Sequence, residues 1–248
     1  MVPRVRYRAA AQKNGIVQEM RSPVVYLLDV DNTLLDNDQV VADLMRHLDQ
    51  NVGEESAQLY WRIFERLRAD LGYADYLGAL QAYRATRPHD FHILKASSFL
   101  INYPFETRLF PRALDVIQRL NGCGPTVILS DGDVVFQPRK IERSGLQEAV
   151  GGRVLLYVHK ELELEDVERR YPADHYVMVD DKLRLLDAFK SSWGSRVTTV
   201  FPRQGHYATD PEILQRYRAA DISVDRIGDL MKLAPDELKG RGAEKFEG

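Results

Sequence analysis

The chain has 248 residues, enough for one sizeable core or a core with an appended module. A composition of 44% hydrophobic and 29% charged residues is ordinary for a globular protein, and a formal net charge of −3 offers no bulk attraction to nucleic acid or anionic lipid. The apolar stretches fall short of the roughly 20 residues that span a bilayer, no secretory h-region is visible, and the lone Cys123 rules out an internal disulfide, so a cytoplasmic protein without membrane or nucleic-acid partners is expected.

Residues 1–21 set Arg4, Arg6, Arg8, Lys13 and Arg21 against a single acid, Glu19, and read as a basic, disordered extension. The first strand is Val24–Val30. About a hundred residues separate it from the next strand, far beyond an ordinary crossover. Apolar residues recur there at helical spacing: Val40, Val41, Leu44, Met45 and Leu48, then Leu59, Tyr60, Ile63, Phe64, Leu67 and Leu71, then Tyr76, Leu77, Leu80 and Tyr83. Residues 37–108 are therefore an inserted helical module. Cap aromatics such as Tyr60, Trp61, Phe64 and Tyr76 read as packing, while Arg87, His89, Asp90, His92 and Lys95 form a polar return arm with candidates to face a cleft.

After the insertion Pro111 opens a helix that Gly122 closes. Strand Thr126–Ser130 follows, then a helix from Pro138 to near Gly145 and strand Val154–Val158. Helix Glu161–Arg170, strand Tyr176–Val179, helix Lys182–Lys190, strand Val197–Phe201 and a weaker strand at Asp221–Val224 complete the alternation. The runs are nearly continuous in Val, Ile, Leu and Tyr, as when both faces of a parallel sheet are covered. The fold class is α/β: a doubly wound parallel sheet over residues 22–36 and 109–236, an all-helical insertion at 37–108, and a flexible tail at 237–248.

In such sheets ligands bind beyond the carboxyl ends of the strands. This sequence places Asp29 and Asp31 after the first strand, Ser130 with Asp131, Gly132 and Asp133 after the second, His159 and Lys160 after the third, and Asp180, Asp181 and Lys182 after the fourth. Carboxylates in one another's company need a compensating cation, and an all-oxygen set suits Mg²⁺. Metal and lysine together would favour a phosphate group, to which Ser130 offers a hydroxyl and Gly132 a close backbone approach.

With these residues the chain resembles the haloacid dehalogenase-like (HAD) superfamily of hydrolases. DVDNTLL (Asp29–Leu35), VILSDGD (Val127–Asp133), Lys160 and VMVDD (Val177–Asp181) match its four motifs in order, and the insertion looks like its helical type 1 cap on a Rossmannoid core. The resemblance implies a Mg²⁺-dependent phosphomonoester hydrolase acting on a small phosphorylated metabolite, as a monomer or homodimer. It implies that Asp29 is the nucleophile that forms an aspartyl phosphate, and that Asp31 is the general acid and then base. Ser130, Asp131, Gly132 and Lys160 would bind the phosphoryl group. Asp29, the Asp31 carbonyl and Asp181, with Asp180 direct or through water, would hold the metal.

Lys160, just past a strand, is preferred to Lys140, which reads as an exposed helix lysine. Thr33 is expected to brace the turn, His159 has no chemical task, and Asp133 is unassigned. A phosphomutase shares these motifs. A 2-haloacid dehalogenase would need neither Asp31 nor the Asp180–Asp181 pair, and a non-enzymatic phospho-acceptor module would lack the insertion.

Overall fold

The computed structural model describes residues 21–239, so the basic arm up to residue 20 and the tail from residue 240 lie outside the described residues. Six parallel strands form one sheet in the order β3-β2-β1-β4-β5-β6: β1 (Ser22–Leu28), β2 (Thr126–Asp131), β3 (Val154–Tyr157), β4 (Ala173–Val179), β5 (Val197–Pro202) and β6 (Ile222–Val224). The order reverses direction between β1 and β4, the kind of switch point where open sheets leave a crevice. Leu28 is in register with Ile128 on one side and Val179 on the other, so the residues just past β1, β2 and β4 emerge together.

The continuous apolar strands are explained by cover on both faces. Tyr26 and Leu28 of β1 pack with Val116, Ile117 and Leu120 of helix α5 (Ala113–Asn121). Their neighbours Val25 and Leu27 pack with Leu186, Phe189 and Trp193 of α9 (Leu183–Trp193). Alternate strand residues point to opposite faces, and here neither face meets water.

Between β1 and β2 lie α1 (Asn37–Asn51), α2 (Glu54–Leu71), α3 (Tyr76–Thr86) and α4 (Leu94–Ile101). Their buried stripes are Val40, Leu44 and Leu48, then Ala57, Tyr60 and Phe64, then Tyr76, Ala79, Leu80 and Tyr83, then Ala96 and Leu100. The chain leaves and re-enters the core through two linkers that pair antiparallel at Leu35 and Leu109. Asp36 N donates to Arg108 O at 2.8 Å and Phe110 N to Leu34 O at 2.9 Å.

Three expectations change. The fourth helix, α4, is short and contains Ser97 and Ser98, which blur its helical pattern. Pro111 does not open α5, because Arg112 has φ 69° and the helix can start only after it. The segment expected as one helix at Glu161–Arg170 is a 3₁₀ turn, Lys160–Leu162, followed by α8 (Leu164–Arg170). Lys160 N is drawn to Asp131 Oδ1 at 2.7 Å, which bends the chain away from a continuous α-helix.

Candidate active site

The carboxyl ends of β1, β2 and β4 supply the floor of a cleft beneath the helical insertion. Asp29 follows β1 and is anchored by its N–H to Val179 O at 3.0 Å. Asp180 and Asp181 follow β4. Asp29, Asp180 and Asp181 are all buried, and each brings one carboxylate oxygen within 4.8 Å of the others. Lys160, reaching in from beyond β3, lies among them: Nζ is 2.6 Å from Asp29 Oδ1, 2.7 Å from Asp180 Oδ2 and 3.1 Å from Leu129 O. Ser130 Oγ lies 3.4 Å from Asp29 Oδ1.

Burial of this much charge has electrostatic consequences. Burial pushes Asp180 up to about 6, against the pull of Lys160. Burial likewise raises Asp181 well above the usual carboxylate range, with Asp180 and Asp29 adding to it against Lys182. Lys160 is raised by Asp180, Asp29 and Asp131 despite its own burial. Lys182 is raised by Asp181, Asp29 and Asp180, again against burial.

The donor set fits a hard divalent cation on a direct observation. Asp29 Oδ2 and both oxygens of Asp181 are buried with no hydrogen-bond partner among the described residues. Buried polar atoms seldom go unpaired without a ligand, and three converging carboxylates match the oxygen preference of Mg²⁺.

The first motif's turn is built to hold this floor. Asn32 has φ 58°, and its Oδ1 accepts from the N–H groups of Asn37 and Asp38 at 3.0 and 3.1 Å. Thr33, expected to brace the turn, reaches farther: its Oγ1 accepts from Asp181 N at 3.0 Å, tying the β1 turn to the acidic pair. Asp133 accepts from Val135 N and Phe136 N at 2.8 and 2.7 Å and so fixes the start of α6 (Phe136–Arg143).

Three residues around the site have partners that the sequence did not reveal. Gly132 already donates its N–H to Tyr157 O at 3.1 Å, and a Cβ there would sit 2.6 Å from Gln137 Cβ. The absent side chain makes room for Gln137, and Gly132 and Asp131 both lie in a cavity wall. Asp131 turns its carboxylate to the Lys160 N–H and thereby fixes the loop that carries Lys160. Lys140, read as exposed, is 0% exposed and pairs with Asp31 at 2.6 Å. Its face of α6 is covered by the insertion, where Phe136 meets Tyr76 and Phe105 with ring centroids 5.4 and 5.6 Å away.

Above the floor, two adjoining cavities of about 400 Å³ each share Asp31, Arg68, Tyr73, Tyr76, Lys182 and Tyr207 in their walls. Arg68 donates to Tyr207 Oη at 2.9 Å across the cleft, from α2 to the segment after β5. Trp61 and Phe64 line one cavity as well as packing in the insertion. Arg87, His89, Asp90, His92 and Lys95 line neither cavity. Arg87 instead pairs with Glu55 at 2.8 Å, and Asp90 accepts from Tyr83 and Ser56. His159 packs against the end of α2, where a Cβ on Gly72 would lie 2.9 Å from its ring. Sequence reasoning missed Gln137, Arg68 and Tyr207, and set Lys140 aside as an exposed helix lysine. Only the i, i+3 spacing of Gln137 and Lys140 immediately after the second motif carried a usable signal.

A parallel sheet with acids at its switch point and a helical insertion after β1 defines a hydrolase of the HAD-like class. Residues 24–192 match the family model "haloacid dehalogenase-like hydrolase", and the chain belongs to that family. A haloacid dehalogenase-like hydrolase from Burkholderia xenovorans LB400 is 60% identical over 86% of this chain and 99% of its own, with a TM-score of 0.84. L-2-haloacid dehalogenase from Xanthobacter autotrophicus (20% identity, 86% and 98% covered, TM-score 0.54) shares the fold. So does the HAD-hydrolase YfnB from Bacillus subtilis bound to magnesium (16% identity, 86% and 98% covered, TM-score 0.56). No curated protein matches the chain. No described helix is long and apolar enough to cross a membrane.

Proposed function

We propose that this hydrolase is a Mg²⁺-dependent phosphomonoesterase acting on a small phosphorylated metabolite in the cytoplasm. The observation that carries the reading is the company Asp29 keeps. Asp31 stands two residues on, and Asp180 and Asp181 bring buried oxygens within 4.8 Å of it. A carboxylate that displaces halide from carbon needs neither an acid for its leaving group nor a metal-binding acid pair.

In this reading Asp29 attacks phosphorus in line, and the new oxygen–phosphorus bond forms as the ester oxygen departs. Asp31 gives that oxygen its proton, then takes one from the water that releases phosphate and regenerates Asp29. Lys160 and Ser130, at 2.6 and 3.4 Å from Asp29 Oδ1, are placed to hold nucleophile and phosphoryl oxygens together. Mg²⁺, held by Asp29, Asp181, the Asp31 carbonyl and Asp180, would supply offsetting charge to the transition state. Cavities of about 400 Å³, roofed by the insertion, suit a small molecule and exclude bulky partners.

The test is a panel of phosphorylated metabolites with Mg²⁺ and EDTA arms, run beside Asp29→Asn. Phosphate release that needs Mg²⁺ and vanishes in the folded variant is expected. A second reading, hydrolysis of 2-haloacids, draws on the fold shared with the Xanthobacter autotrophicus enzyme. Halide release from 2-haloacids in EDTA would replace the first reading with it, and isomerisation of a hexose phosphate without phosphate release would make the chain a mutase.

A further inference from the structure

Helix α6 carries Gln137 and Lys140 three residues apart on a face that is 3% and 0% exposed at those positions. Burying an ammonium costs several kcal/mol unless it is well paired, and a Leu or Ile would fill the same volume without that cost. Lys140 Nζ donates to Asp31 Oδ1 at 2.6 Å and to Asn37 Oδ1 at 3.0 Å, and lies 5.1 Å from the Phe136 ring centroid. It lines neither cavity, but both of its hydrogen-bond partners belong to a cavity wall.

Those partners divide the Asp31 carboxylate. Oδ1 is committed to the ammonium. Among the described residues Oδ2 has only the long 3.5 Å contact from Gln137 Nε2, whose firmer bond is to Ser130 Oγ at 3.0 Å. Asp31 lines both cavities, and its side chain is 27% exposed. The second partner, Asn37, is the first residue of α1 and hence the first helical residue of the insertion. Its Nδ2 reaches Tyr76 Oη of α3 at 3.5 Å.

We propose that Lys140 is the positioning residue of Asp31. It holds Oδ1, reserves Oδ2 for proton exchange with the leaving oxygen and the water, and through Asn37 makes that orientation depend on how the insertion is seated. The inference rests on the phosphomonoesterase reading for what Asp31 does. A misplaced proton-transfer group typically costs on the order of 10²-fold in rate.

Wild type and Asp29→Asn are assayed first, with Mg²⁺, on the phosphoester the wild type turns over. Failure at that stage counts against the function. Failure later counts against Lys140 alone. Lys140→Met keeps the buried stem and removes the charge. It should lower kcat about 10²-fold with KM within about threefold, and Asn37→Ala should lower kcat about tenfold. In an Asp31→Ala background neither change should cost more than about twofold further. Equal losses with and without Asp31, or an unchanged kcat, overturn the proposal. If Lys140→Met does not fold, the half-buried Asn37→Ala carries the same cycle. Independently of turnover, the ¹⁵N signal of the Lys140 ammonium should show slow proton exchange that is lost in Asp31→Ala. A signal indifferent to Asp31 also overturns it.

Discussion

At the carboxyl ends of β1, β2 and β4, the side chains withdrawn from water are charged: Asp29, Lys160, Asp180 and Asp181, with Lys140 beside them. In the helical insertion directly above, the withdrawn side chains are aromatic and aliphatic, with Tyr60, Phe64, Tyr76 and Tyr83 at its centre. The insertion keeps many of its charges in surface pairs such as Arg87–Glu55 and Arg66–Asp70. The difference follows from what each region can fix. Strand ends in a covered sheet are held by ladder hydrogen bonds on both sides, so opposed charges there keep their separation and stabilise one another. Helices that pack through rings have no such frame and leave their ions to water, where each pair contributes little.

That contrast can be broken by removing charge from the floor. Lys160→Met leaves Asp29 and Asp180 facing each other without their ammonium. We expect loss of turnover by at least about 10³-fold and a stability loss of about 3–5 kcal/mol in urea unfolding. Stability close to wild type would mean the floor tolerates unpaired acids. Adding Mg²⁺ should do the reverse. At a hundredfold excess over its dissociation constant it should raise the unfolding free energy by about 2.7 kcal/mol, and Asp181→Asn should abolish most of that gain.

A purely steric change sharpens the same point. Gly132→Ala puts a Cβ where Gln137 now sits, 2.6 Å away. It should cost about 1–3 kcal/mol by overpacking and lower kcat through the displaced Gln137–Ser130 bond. The smallest effect belongs to the insertion. Partial burial works against it, but bonds from Tyr103, Arg108 and Gln39 hold Asp43 down at about 2. Its folded-state value lies below its unfolded one, so its stabilisation is present above about pH 4 and fades as pH falls toward 2. Asp43→Asn should therefore cost only about 1 kcal/mol at pH 7, after solvent screening, and progressively less as pH falls through 2, as read by thermal melting across that range.

The sheet was legible because its strands are apolar on both faces and its strand ends carry acids no core would otherwise hold. Expected and observed strands differ by a few residues at their ends, as at Val24–Val30 against Ser22–Leu28. Asp29, Lys160, Asp180 and Asp181 could be listed as neighbours because parallel strands deliver their ends to one edge. Lys140 could not. In QPRKIERSGL it has the look of any solvated helix cation, and its burial depends on Tyr76 and Phe105, which come from an insertion whose docking no local pattern encodes. Arg68 and Tyr207 were hidden for the same reason, since they lie 139 positions apart and meet only when the insertion and the core are both in place.

The Leu35–Leu109 bridge, flanked by Asp36 N to Arg108 O and Phe110 N to Leu34 O, means the insertion is joined to the core by a single paired seam. Paired in this way, the two crossings between core and insertion move together. The seam is also a natural place to cut. Exchanging residues 37–108 for the same segment of a relative would replace Arg68, Tyr73 and Tyr76 in the cavity walls while keeping Lys182, Tyr207 and the buried acids, which would separate the selectivity set by the insertion from that set by the core.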